Sequence, residues 1–526
     1  MGNKSVAIPL GRSLNHMAIN AFGHYFVRLP SLDLCFQFGV ITGINNVNSF
    51  YWFDYETFGT DPAMDWPAQF AGIRTDFDLN EIGEPLNIYC KLPKDHLPHP
   101  EACMVTGLDP WEVNEKGLVE PAFIARINQE MMQPGTCSVG YNTLRFDDEV
   151  TRNSLYRNFY DPYAREWQNG NSRWDLIDLV RLTAALRPEG INWPLREDGY
   201  KSFKLEEITR ENGIDHGDAH DALSDVRATI AVAKLIKERQ PKVYDFVFRH
   251  RGKRDVAGLL NPVQKKPVVH VSGMFGADRQ CLSIVVPLAD HPLNRNGIIV
   301  YDLSVDPAPL LQLTADQIRE RLFTPVDELE EGVERVPLKV VHLNKCPVIA
   351  PVSVLRKEDC QRLNLDMEVF ARHREQLLKG GDVFEKVQQV FSSSPVETAS
   401  DPDLMLYSGG FFAPDDKERM RRIVSCPPDQ LGYLELSFKD RRLDEMLFRY
   451  KARHYPEVLD TEERQKWLKF CQDRLTLPGE RRFGFSEFAT ELEASRSQHT
   501  QPGKRQLLDK LDEYAAALQS GLCHLS

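Results

Sequence analysis

Ser49-Phe50-Tyr51-Trp52-Phe53, followed at once by Asp54-Tyr55-Glu56, is the stretch from which the fold can be read outward. The apolar run reads as a buried strand. At its end the two acids stand at i and i+2, so their carboxylates point to the same side while Tyr55 faces away. Adjacent anions at a strand end are costly unless a cation neutralises them, and oxygen donors suit Mg²⁺ or Mn²⁺. Taken alone, D-x-E is equally at home in a surface or capping pair.

Outward from this strand, residues 69–75, 86–90 and 137–141 read as further strands, and 122–132, 148–158, 173–186 and 220–237 carry helical periods. Such mixing predicts an α/β domain over 48–240, with helices covering a mixed sheet. Residues 241–391 change to short apolar runs with turn breaks (267–271, 282–286, 297–301, 338–342), which suggests a small barrel or sandwich. Ser392-Ser393-Ser394-Pro395 and Ser400-Asp401-Pro402 place a linker at 392–403. Periods at 415–424, 442–452, 461–475 and 505–519 then make 404–526 an all-α end. Residues 1–47 hold only four charged side chains, Lys4, Arg12, Arg28 and Asp33, and read as an extension outside the core.

A chain of 526 residues is expected to divide into two or three domains. No window approaches 18 uninterrupted apolar residues, so no membrane span is expected. The ten cysteines are scattered without a C-x-x-C pair. That spacing offers neither a zinc cluster nor a disulfide framework, and predicts reduced thiols in a cytoplasmic protein. A net charge of −13 does not advertise a nucleic-acid binder, but phosphate affinity depends on local basic clusters, so the function stays open at this level.

Two more elements carry chemistry. In Gly140-Tyr141-Asn142-Thr143-Leu144-Arg145-Phe146-Asp147-Asp148-Glu149 an apolar strand ends and a helix opens with acids, where capping alone would account for Asp147. Asp148 and Glu149 read as capping or solvated residues. In His220-Asp221-Ala222-Leu223-Ser224-Asp225, Asp225 falls about one and a half turns into a helix that His220 enters. A histidine there can serve as general base on a water, since its unperturbed pKa of about 6.5 lies near operating pH.

Together, D-x-E on a first strand, N-x-x-x-F-D after a later one and H-x-x-x-x-D on a later helix resemble the DEDDh exonuclease superfamily on the ribonuclease-H-like fold. Longer stretches, Phe53 to Thr60, Arg145 to Asn153, Tyr156 to Tyr163, Leu186 to Pro194 and His270 to Ala277, are similar to the bacterial exodeoxyribonuclease I family from about Phe53 to the C-terminal helices. The resemblance implies an α/β exonuclease domain, an SH3-like β-barrel and an all-α C-terminal domain. It implies metal ligands at Asp54, Glu56, Asp147 and Asp225, with His220 as base. Two Mg²⁺ ions, replaceable by Mn²⁺, would serve a two-metal mechanism. The activity implied is processive 3′→5′ hydrolysis of single-stranded DNA to 5′-mononucleotides, in DNA repair and recombination, by a monomer. The acidic C-terminal tail of single-stranded DNA-binding protein is the implied partner.

Single strands are held by stacking aromatics and a basic groove. The segment Tyr156 to Trp174 interleaves six aromatic rings with Arg157, Arg165 and Arg173, a mixture that suits a strand channel. Arg152, Arg181, Arg187 and Phe203 match positions the family uses near the DNA, and Glu56, Tyr163, Trp167 and Lys204 are the further substrate contacts expected. At Lys204 the family often has arginine, so a bidentate phosphate grip becomes a point-charge contact. The run Arg249 to Arg254 and the helix carrying Arg441, Arg442, Arg449, Lys451 and Arg453 are further basic faces, either of which fits phosphates or a solvated or domain-facing surface. Arg187, Lys266 and Arg356 are the positions suggested for the partner's tail. Two alternatives remain open from the residues: an exoribonuclease trimming RNA 3′ ends, and a non-catalytic single-strand-binding module.

Overall fold

The computed structural model describes residues 48–526 except 218–219, 394–398, 478, 480–481 and 524–526. The expected extension at 1–47 and the middle of the expected linker lie outside the described residues. The strand quoted above is β1 (Ser49–Thr57), and it forms the centre of a mixed sheet. It pairs antiparallel with β2 (Pro67–Thr75), which in turn pairs antiparallel with β3 (Leu86–Tyr89). On its other side lies parallel β4 (Thr136–Gly140), followed by parallel β5 (Ser172–Asp175). Because β1 is central, both of its faces are buried and the alternation vanishes into a continuous apolar run. Phe50 and Trp52 enter one core, whereas Tyr51, Phe53 and Tyr55 enter the other. Burial of each such ring contributes roughly 2–3 kcal/mol.

Three short helices follow β3: α1 (Pro100–Thr106), α2 (Pro110–Lys116) and α3 (Glu120–Met131). Each has proline in its first turn, where the missing N–H breaks no helical bond. Then come α4 (Asp147–Arg157), α5 (Ile177–Leu186), α6 (Leu205–Glu211), α7 (Ala222–Arg239) and α8 (Pro241–Arg249). The long α7 packs on β1 and β2, which brings Asp225 over the sheet.

The expected helix over 173–186 is two elements: β5 ends at Asp175, and α5 starts at Ile177. Four residues are too few for periodicity to separate strand from helix. What pins Ser172–Asp175 as a strand is pairing with β4 while Trp174 fills the core.

The second unit of secondary structure starts with α9 (Lys253–Leu259). Strands β6 (Val268–Val271), β7 (Leu282–Asp290), β8 (Gly297–Asp302), β9 (Leu338–His342) and β10 (Ile349–Pro351) form an antiparallel sheet ordered β10-β6-β7-β8-β9. Helices α10 (Ala308–Gln312), α11 (Ala315–Phe323), α12 (Lys357–Arg362), α13 (Met367–Lys379) and α14 (Val383–Val390) surround it. The chain ends in α15 (Pro414–Ser425), α16 (Arg442–His454), α17 (Thr461–Thr476), α18 (Phe485–Gln498) and α19 (Pro502–Cys523), the all-α end expected. None of the described helices is long and apolar enough to cross a membrane.

Helix α16 resolves one of the basic faces. Arg442, Arg449 and Arg453 are buried, not presented to a ligand. They pair with Asp440, with Asp401 and Asp403, and with Asp95 and Asp403 respectively. Asp95 precedes α1, so this helix is a seam tying the helical end to the α/β domain.

Candidate active site

The face of β1 that carries Phe50 and Trp52 into the core carries Asp54 and Glu56 beyond it, by the two-residue period. Asp147 reaches the same strand end from the first turn of α4, where its Oδ1 accepts the Tyr55 backbone N–H at 3.1 Å. The turn before α4 is tight. Asn142 takes a left-handed φ of 64°, and a Cβ at Gly140 would meet Thr143 at 2.1 Å. Asp175, at the end of β5, holds this turn by accepting the backbone N–H groups of Asn142 and Leu144. Burial nevertheless pushes its carboxyl up to about 6. Sequence reading passed over Asp175 because it lies inside the stretch read as helix. An acid closing a Ser-Arg-Trp-Asp alternation was the available signal.

From the other side, α7 delivers Asp225, and the turn ahead of it delivers His220, exposed and with φ of 67°. Ligand atoms of Glu56, His220 and Asp225 all lie within 4.8 Å of one another. Asp221 caps α7 through the Ser224 N–H and accepts a 2.8 Å bond from Gln69 of β2. Gln69 is the register partner of Glu56, so the helix start is fastened to the strand pair that bears the carboxylates. A second histidine, His216, bonds Asp225 at 2.6 Å. Asp221, Gln69 and His216 were not singled out from the sequence. Their roles depend on partners 9 to 152 residues away.

The electrostatics state what the site lacks. Burial, then Asp147, Glu56 and Asp225, drive the Asp54 carboxyl far above the usual carboxylate range. Burial and Asp225 push Glu56 up to about 9, burial pushes Asp147 up to about 8, and burial also raises Asp225. Hard oxygen donors massed this way, with repulsion unrelieved, fit Mg²⁺ or Mn²⁺. One consequence is measurable. In the metal-free protein Glu56 keeps a proton that the unfolded chain loses above about pH 4.5, so stability falls as pH rises from there and levels off only above about 9. Melting in EDTA is therefore expected to drop across about pH 5–9, with Mg²⁺ flattening the drop and Glu56→Gln removing part of it. A melting temperature in EDTA that held level over this range would contradict the crowding of acids.

The expected DNA-facing residues divide. Trp167 is 64% exposed and Tyr163 half-buried, and both line a cleft of about 780 Å³ with Tyr160, Phe411, Phe412 and Lys417. Tyr156, Phe159 and Trp174 are core, and so belong to packing. The arginines between them, read as suiting a strand channel, are structural as well. Arg157 pairs with Glu120, Arg165 with Asp148, and Arg173 with Asp148 and Glu166. Asp148 is thus neither cap nor solvated residue but a fully buried ion-pair centre. Arg152 is buried against Glu149 and Glu166, and Tyr163 lies under its guanidinium. Arg181 pairs with Asp178 and lies over Phe203. Lys204 is exposed, facing Glu207 at 3.8 Å. Arg187 bonds Asp359 and the Val354 carbonyl, whereas Lys266 and Arg356 are exposed. Of the run 249–254, Arg251 is buried on Ser172 and the Phe248 carbonyl, and Arg249 is exposed.

The chain is similar to known proteins over most of its length. Family models match as Exonuclease over residues 51–233, Exonuclease I SH3-like domain over 251–393 and Exonuclease I C-terminal domain over 400–518. Exodeoxyribonuclease I of Escherichia coli K12 is 50% identical over 423 residues, covering 80% of this chain and 89% of its own. The chain belongs to the exodeoxyribonuclease I family. Among solved structures, exonuclease I of Methylocaldum szegediense superposes with a TM-score of 0.86 at 51% identity, covering 90% of this chain and 99% of that one. E. coli exonuclease I in complex with a dA16 oligonucleotide gives 0.86 at 47%, covering 90% and 100%. As a member of the exodeoxyribonuclease I family the protein is an exonuclease with a divalent-metal-dependent active domain, and its second sheet is the family's SH3-like domain.

Proposed function

We propose that the protein degrades single-stranded DNA processively from its 3′ end to 5′-mononucleotides, in cytoplasmic DNA repair and recombination. The observation carrying this is the convergence of Asp54, Glu56, Asp147 and Asp225 with His220 at one end of β1. Two Mg²⁺ ions held by the four carboxylates would supply an acidified water and charge neutralisation at the leaving 3′ oxygen. The chain's own residues do the rest. Glu56 and Asp225 flank His220, whose exposed imidazole is placed to take a proton from a water at the carboxylate cluster. Trp167 and Tyr163 offer ring faces on which bases stack without regard to sequence. Domain limits of 48–240, 241–391 and 404–526 remain the working division. Docking of the acidic tail of single-stranded DNA-binding protein is assigned to Arg187 and the exposed cations Lys266 and Arg356, and the working unit to a monomer.

The test is digestion of a 5′-labelled single-stranded DNA oligonucleotide and of its RNA counterpart, with Mg²⁺ or EDTA. Expected is a ladder that shortens from the 3′ end on DNA, stops in EDTA and is much weaker on RNA. Preference for RNA would overturn the substrate, and digestion in EDTA would overturn the metal.

A further inference from the structure

His216 has no task in the reaction outlined above, yet it touches a carboxylate that carries it. Its Nε2 lies 2.6 Å from Asp225 Oδ1, and its Nδ1 lies 2.9 Å from the hydroxyl of Thr209. Its side chain keeps 11% exposure, and Thr209, on α6, is fully buried. The proton between His216 and Asp225 can be placed. An ionised Asp225 has none to give, so Nε2–H must donate. The Thr209 hydroxyl also lies 3.0 Å from the Leu205 and Glu206 carbonyls of its own helix, to which it donates, so the oxygen that faces Nδ1 is anchored on α6. One relay, Thr209 to His216 to Asp225, thereby ties the position of a carboxylate on α7 to the preceding helix α6. It engages one oxygen of Asp225, the residue whose carboxylate also comes within 4.8 Å of ligand atoms of Glu56 and His220.

We propose that His216 is a positioning residue that orients Asp225 for the divalent cation and so sets the affinity of the site for metal. The inference rests on the metal-dependent reading of the four carboxylates. Partners that hydrogen-bond a metal-ligating group orient it, and their loss typically lowers metal affinity or activity about 10–100-fold. His216 is distinct from His220, which is exposed and stands at the turn where α7 begins.

The test is direct Mn²⁺ binding to the full chain without DNA, by calorimetry and electron paramagnetic resonance, alongside Mg²⁺ titration of single-stranded DNA digestion. His216→Ala is expected to raise the Mn²⁺ dissociation constant and the half-saturating Mg²⁺ concentration about 10–100-fold, with turnover recovered by added metal. His216→Gln, whose amide nitrogen can replace Nε2 as donor, is expected to restore most of the affinity. Wild-type Mn²⁺ affinity in His216→Ala would overturn the inference. So would turnover lost at saturating metal with affinity unchanged, which would assign His216 to proton transfer instead. Should His216→Ala not fold, Thr209→Val leaves the imidazole in place and removes only its outer anchor, and unchanged Mn²⁺ affinity there would count equally against the relay. A wild-type protein that bound no Mn²⁺ would fail the metal reading itself, which is a separate result from a variant binding as well as wild type.

Discussion

Asp54→Asn is expected to lower turnover of single-stranded DNA by about three orders of magnitude or more, while the variant binds the oligonucleotide no more weakly than wild type. Asparagine keeps the volume and one oxygen of the side chain but removes the charge that holds a cation. A loss of about 4 kcal/mol in transition-state stabilisation, ordinary when metal catalysis is removed, corresponds to about 10³ in rate. Binding should move the other way. Asp54 sits among Asp147, Glu56 and Asp225, and an amide in its place can add no negative charge to repel arriving phosphates. The same relief means that the metal-free variant should melt no lower than wild type. Single-turnover digestion with Mg²⁺, fluorescence anisotropy in EDTA and a thermal melt separate these effects. Turnover within tenfold of wild type would remove Asp54 from the site, and weakened binding would show that it also holds the strand.

Why Asp54 could be found in the sequence and His216 could not is a matter of range. Asp54 and Glu56 are coupled to a strand whose apolar run is visible, and two-residue periodicity aligns their carboxylates without any knowledge of the fold. Asp147 and Asp225 each sit beside a helix start, again a local signal. Local patterns likewise revealed the mixed sheet, the strand-rich middle and the helical end. The β5 strand was too short to declare itself, and with it went Asp175, the acid that shapes the turn before Asp147. The arginines misled for the opposite reason. Composition counts their charge, but whether a guanidinium meets phosphate or carboxylate depends on partners far along the chain. Arg449 finds Asp403 at a separation of 46 residues, and Arg453 finds Asp95 across 358. Such pairs turned an apparent nucleic-acid face on α16 into a domain seam.

The largest stability effect is expected from Asp148→Ala, next door to a proposed metal ligand. Asp148 is 1% exposed, with Arg165 on one oxygen and Arg173 on the other at 3.0 Å. Removing it strands the buried Arg165 guanidinium and leaves Arg173 with Glu166 as its one remaining acid, and breaking a buried pair in this way costs about 3–5 kcal/mol. Burial alone would raise the Asp148 carboxyl, yet Arg165 and Arg173 hold it down to about 2. Its contribution is therefore complete above the ordinary value of 3.8 and fades as pH falls from there through about 2. Urea unfolding followed by intrinsic fluorescence should show the first transition moved down by that amount at neutral pH. The gap to wild type should narrow as the buffer is taken below about pH 4. Turnover per folded molecule should survive in part, because Asp148 points at arginines and not at the carboxylate cluster. A shift under about 1 kcal/mol would mean that the two guanidinium groups find water or other acids once the carboxylate is gone. Asp147 and Asp148 thus share one helical turn and are both buried, but they titrate in opposite directions, to about 8 and about 2. The difference is the cation: Asp148 has two supplied by the chain, whereas among the described residues no ion pair forms at Asp147, which leaves that place to the proposed metal.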